Sequence, residues 1–111
     1  MPSKGSCFYG DPLPGGNNPH YWVVLCSTER YIVMVSMTTP RGKLFAHRVT
    51  QADFPCLQYD SNVCWERANA FVPEIPGRMR PCATAAKGAV EKLVAEGRRR
   101  KLIPAGIDIM L

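Results

Sequence analysis

The chain has 111 residues, 46% of them apolar, and a formal charge of +5 at neutral pH. That length fits one domain around one hydrophobic core, and the apolar share excludes disorder over most of it. The longest apolar run, Tyr21–Cys26, falls far short of the ~20 residues a membrane-spanning helix needs. The start, MPSKGSCFYGD, has a lysine but no apolar stretch behind it, so no signal peptide is expected. These features predict a single cytoplasmic domain over residues 1–111 with no membrane contact.

The five cysteines, Cys7, Cys26, Cys56, Cys64 and Cys82, are odd in number and none has CxxC spacing. A disulfide framework and a structural zinc site are therefore not expected, and neither a metal nor a cofactor is predicted. Positive charge is concentrated in Arg98, Arg99, Arg100 and Lys101, with Arg78 and Arg80 as a smaller group. Such a run suits nucleic acid, and equally the negative end of a helix dipole.

In chain order, residues 1–20 are dense in Gly, Pro and Asn and read as a long loop. Tyr21–Cys26 and Tyr31–Met37, joined by Ser27-Thr28-Glu29-Arg30, read as an antiparallel hairpin. Neither run alternates cleanly, which predicts strands buried on both faces or closed into a barrel. Thr39-Pro40-Arg41-Gly42 turns the chain into a third strand, Lys43–Val49, near a sheet edge. Asn62–Trp65 and Phe71–Ile75 are shorter strand candidates, the second limited by Pro73 and Pro76 to an edge or terminus. Ala83–Glu96 is predicted helical, with Ala86, Ala89, Val90, Leu93 and Val94 on one face, Pro81 before it and Gly97 as its stop. Gly88 inside that span costs about 1 kcal/mol against alanine. The tail Gly106–Leu111 alternates weakly and reads as a last strand or an interface segment. The predicted fold is mostly β with one C-terminal α-helix: a small, twisted antiparallel barrel of roughly five to seven strands.

Three segments, in order, resemble the MazF/PemK family of toxin endoribonucleases, which are small SH3-like barrels with a C-terminal helix. They are His20-Tyr-Trp-Val-Val-Leu, Val33-Met-Val-Ser-Met-Thr-Thr, and Asp53-Phe-Pro-Cys-Leu-Gln-Tyr-Asp-Ser-Asn-Val-Cys-Trp. The third is similar to a stretch of a PemK-like branch that begins with His-Pro and continues through Asp-Ser. The resemblance implies metal-independent cleavage of single-stranded RNA, an antitoxin protein as partner, and a two-fold homodimer. It also implies a basic residue at the start of the first strand and a threonine at the end of the next. Thr38 takes the threonine position. His20 or Tyr21 stands where the family has arginine, and Phe54 stands where the branch has the histidine of His-Pro.

Cleaving RNA through its own 2′-hydroxyl needs a base, an acid and positive charge on the phosphate oxygens. His20 and Thr38 are the candidate catalytic residues, as acid–base group and as hydrogen-bond donor to a phosphate oxygen. The plain alternatives are a surface histidine that ends a turn and a strand-end threonine that satisfies one. Arg41, Arg98, Arg99, Arg100 and Lys101 are the candidate RNA-binding residues. Asp60 and Ser61 read as a structural turn. Trp22 and Trp65 suit base stacking, though tryptophans in a small barrel are more often core. His47 falls in the edge strand without an identifiable partner. Two other functions fit the same residues: a non-catalytic SH3-like module that binds nucleic acid or protein, and an unrelated small β protein with a structural or assembly role.

Overall fold

The structure, a computed structural model, describes residues 2–39 and 47–111. Its frame is one antiparallel sheet of six strands in the spatial order β4-β5-β3-β2-β1-β6. These are β1 (Cys7–Gly10), β2 (His20–Ser27), β3 (Ile32–Thr38), β4 (Arg48–Val49), β5 (Ser61–Phe71) and β6 (Arg80–Pro81). A 3₁₀ turn spans Ile75–Arg78, and two helices follow, α1 (Ala89–Arg99) and the short α2 (Ala105–Asp108). Among the described residues no ladder joins β4 to β6, so the sheet is open rather than closed into the expected barrel. No helix among them is long and apolar enough to cross a membrane.

The expected hairpin is the centre of this sheet: β2 pairs with β3 from Tyr21–Met37 to Ser27–Ile32. Its weak alternation has a direct cause, because both faces are covered. On one face Val23, Leu25, Val33, Val35 and Met37 pack with Val63 and Trp65 of β5, Phe54 and Leu57, and Ala89, Val90 and Leu93 of α1. On the other, Trp22, Val24, Ile32 and Met34 meet Phe8, Ile75 and Met79, and Phe71 sets its ring edge-on to Trp22 at 5.6 Å. Burying a leucine- or valine-sized side chain contributes about 1.5–3 kcal/mol, so each buried residue of this two-sided hairpin stabilises the fold on that scale.

Four expectations are corrected here. The loop-rich residues 1–20 contain β1, whose Cys7 and Phe8 are buried between Gly5 and Gly10 at either end. Asn62–Trp65 and Phe71–Ile75 are not two strands: β5 runs unbroken to Phe71, and Ile75 instead begins the 3₁₀ turn. Ser36 pairs with Cys64 but Met34 pairs with Asn69, so β5 carries extra residues that bulge from the ladder. The tail is not a strand. Ile107 of α2 is buried, and Met110 and Leu111 pack on the same core, which removes the reason to see an unplaced apolar segment that needs a second copy. Of the predicted strand Lys43–Val49, β4 is the described part, and the remainder lies outside the described residues.

The helix is the fourth correction. It begins at Ala89, and Gly88 is the residue before it, with φ of +81°. That left-handed conformation is open to glycine and strained for alanine by roughly 1–2 kcal/mol. A methyl group there meets nothing within 4 Å, so the backbone alone decides the outcome. Gly88→Ala is therefore expected to lower stability by about 1 kcal/mol in urea unfolding. A stabilised variant would place Gly88 back inside the helix. Gly97 does not stop α1 but lies within it, where an added Cβ would come to 2.9 Å from the Trp65 ring. The helix ends instead through Lys101, at φ of +56°, as Leu102 N–H returns to the Gly97 carbonyl at 2.9 Å.

Candidate functional site

β2 starts at His20 and β3 ends at Thr38, each one residue beyond the Tyr21–Met37 pair, so both lie at the same end of the sheet. On its other side His20 pairs with Gly10, which has no side chain to crowd the imidazole. Nη1 of Arg67, from β5, lies 2.7 Å from His20 Nε2. A guanidinium has no acceptor, so in this contact Nε2 is the acceptor and its lone pair is taken up by Arg67. Arg67 must turn aside before that nitrogen can take a proton as a general base.

Asp11 braces the surroundings of His20. Its carboxylate accepts Leu13 N–H at 2.9 Å and Asn18 N–H at 3.0 Å, which holds the loop from β1 to β2 in place. Those two bonds, with a smaller contribution from His20, hold the Asp11 carboxyl below the usual carboxylate range. Thr38 Oγ1 is 3.2 Å from Cys64 Sγ. Next along the strands, Trp22 pairs with Ser36. Trp22 Nε1 and Ser36 Oγ are buried with no hydrogen-bond partner among the described residues. Strand alternation puts Ser36 and Thr38 on the same face as Trp22 and His20.

The cationic residues are placed elsewhere. A groove of about 520 Å³ between α1 and β4 is lined by His47, Arg48, Asp53, Lys92, Arg99 and Arg100, among others. Its charges are already paired: Arg48 with Asp60, Lys92 with Asp53 at 3.0 Å, and both Arg99 and Arg100 with Glu96. Arg98 reaches instead to Asp108 of α2 at 2.6 Å, and Lys101 is exposed beyond the helix end. Helix α1 covers the face that holds Val23 and Trp65, opposite to the face of Trp22. The structure thus does not bring Arg98, Arg99, Arg100 or Lys101 to His20 and Thr38. Arg41 lies outside the described residues. Asp60 serves as the partner of Arg48, and Ser61 is buried with its hydroxyl donating to the Tyr59 carbonyl at 3.0 Å.

His47 has a partner after all. Trp65 Nε1–H donates to its Nδ1 at 2.8 Å inside the core. Trp65 is therefore a core residue rather than a stacking platform, and Trp22 is likewise buried. Burial, reinforced by Arg100 and opposed by Glu96, pushes the His47 imidazole below its ordinary value. In the unfolded chain it takes up a proton near pH 6.5, which the folded chain resists, so the unfolded state binds more protons below that pH. The His47 contribution is whole above about pH 6.5, shrinks as pH falls below it, and levels off below the folded value. Melting temperatures between pH 7.5 and 5 should therefore fall more steeply for the parent than for His47→Gln. Equal slopes would contradict this.

The residues that sequence reading missed are Arg67, Asp11 and Ser36. Arg67 was hidden in the gap between two short strand candidates, and only an unbroken β5 would have pointed to it. No protein-family model matches this chain, and no curated protein matches it.

Proposed function

We propose that the chain is an endoribonuclease of the MazF/PemK type, which cleaves single-stranded RNA without a metal ion at a site formed by His20, Arg67 and Thr38. The observation that carries this reading is the guanidinium of Arg67 held against His20 Nε2. The family's arginine has no counterpart at the start of β2, and Arg67 supplies that charge from another strand. As the Arg67 guanidinium turns from His20 Nε2 to the phosphate, the freed nitrogen takes the proton of the 2′-hydroxyl while its oxygen attacks phosphorus. Arg67 offsets the charge that builds on the non-bridging oxygens, Thr38 donates its hydroxyl to one of them, and the departing 5′-oxygen takes a proton from water. In this reading the open sheet derives from an SH3-like barrel, the protein is cytoplasmic and dimeric, and an antitoxin protein covers the site.

The test is cleavage of a single-stranded RNA by the parent and by Arg67→Ala and Arg67→Lys. Loss of one donor aimed at developing charge lowers rates by about 10²–10³, so Arg67→Ala is expected in that range, with partial recovery in Arg67→Lys. Equal cleavage by parent and Arg67→Ala would remove Arg67 from the mechanism.

One observation favours a second reading, a non-catalytic module that binds nucleic acid. The groove beside Arg99 and Arg100 is separate from His20, so binding there does not require chemistry. In that case the parent leaves RNA intact, and Arg99→Ala with Arg100→Ala weakens binding and flattens its salt dependence.

A further inference from the structure

The groove between α1 and β4, about 520 Å³, is lined by two kinds of side chain. Its inner wall is apolar, with Val49 and Phe54 on one side and Ala89 and Leu93 of α1 on the other, all of them buried. Its rim carries the exposed cations Arg48, Lys92, Arg99 and Arg100 against two carboxylates, Asp53 and Glu96. Sites for small organic molecules run from about 300 to 1,000 Å³, so the volume is sufficient for one. An apolar wall beneath a rim with surplus positive charge matches a ligand that has an apolar body and an anionic head.

The positive charge at the end of α1 is unevenly shared. Arg99 engages both oxygens of Glu96, through Nε to Oε2 at 3.0 Å and through Nη2 to Oε1 at 2.5 Å. Arg100 Nε stands 4.0 Å from the same Oε1, close enough for charge attraction and too far for a hydrogen bond. The planar fork of Arg100 is therefore not spent on Glu96, and it matches two oxygens of a phosphate. Ion pairs as exposed as those on this rim contribute little, so they oppose an incoming anion only weakly. His47 adds a fixed donor. Trp65 Nε1–H occupies its Nδ1 at 2.8 Å, which leaves the proton of the neutral ring on Nε2. The buried imidazole lines the same groove as Arg48 and Arg100.

We infer that this groove binds a phosphate monoester with a compact aromatic or apolar body. The phosphate sits on Arg100, with the charge of Arg99 and Lys92 beside it, and the body lies against Val49 and Leu93. A phosphate monoester suits this spread of cations because its three terminal oxygens can engage more than one of them. The site is separate from His20 and Thr38, and one phosphate is enough to fill it, so it requires no chain of nucleotides.

The test titrates the full chain with phenyl phosphate and, separately, with inorganic phosphate near neutral pH, and reads backbone amide shifts. Phenyl phosphate is expected to saturate, with shifts centred on residues 93–100 and on Arg48 and Val49. It should bind more tightly than inorganic phosphate, because its ring covers the apolar wall. Arg100→Gln should weaken phenyl phosphate by roughly tenfold, the scale of one hydrogen bond to a charged group. Glu96→Gln should tighten it, since a carboxylate leaves the rim. Neither residue is buried, and melting temperatures check that both variants fold. Shifts that never saturate, equal affinity for the two probes, unchanged affinity in Arg100→Gln or weaker binding in Glu96→Gln would each overturn the assignment. So would single-stranded RNA that saturates this groove where phenyl phosphate does not, a result that favours the nucleic-acid module instead.

Discussion

Replacing His20 with alanine is expected to slow cleavage of single-stranded RNA by about 10²–10⁴-fold, the usual contribution of a positioned acid–base group. The variant should fold like the parent, because His20 is half-buried at a strand end beside Gly10 and takes no part in either core cluster. Binding of RNA should change little, so the loss should fall on the chemical step rather than on affinity. Thr38→Ala should cost less, because a neutral hydroxyl offers one uncharged hydrogen bond where Arg67 offers a charge-assisted one. Single-turnover rates at saturating enzyme, with melting temperatures alongside, separate these effects. Full cleavage by His20→Ala would withdraw its role as the base.

Phe54→Ala is expected to cost about 3–5 kcal/mol of stability, the usual range for emptying a buried phenylalanine site. Phe54 is 1% exposed and among the largest fully buried side chains, packed with Leu57 and the α1 residues. A loss of that size is a large part of the ~5–15 kcal/mol that a domain has in total. Urea unfolding should show the midpoint fall with little change in slope. The same position gives the MazF/PemK resemblance a physical reading, since a histidine there would put an imidazole into an apolar core. Phe54→His should therefore also destabilise, through burial of a polar ring. A loss below about 1 kcal/mol for Phe54→Ala would contradict the packing described here.

The parts of the fold legible in the sequence are those set by contiguous apolar residues. Tyr21–Cys26 and Tyr31–Met37 announce the central hairpin because β-branched and aromatic residues around a short polar turn have few other solutions. Ala89, Val90 and Leu93 announce the buried stripe of α1 in the same way. What failed depended on single residues whose effect is set by the rest of the chain. Gly88 scores as a weak interior helix residue, yet its positive φ makes it the boundary. Gly5 and Gly10 suggest a loop, yet they flank a strand that β2 and β6 pair from either side. Of the candidate site, His20 and Thr38 are legible in the sequence as strand-end residues. Arg67 was not, because its approach to His20 depends on how a bulged strand crosses the sheet, a contact between residues distant in sequence.

The most direct test of the RNA-cleavage assignment is analysis of both product ends after the parent acts on a single-stranded RNA in excess chelator. Cleavage is expected to leave a 2′,3′-cyclic phosphate on one fragment and a 5′-hydroxyl on the other, and to be absent where the attacking nucleotide is 2′-deoxy. Intact RNA, a 5′-phosphate product, or unchanged cutting of the deoxy-substituted strand would contradict it.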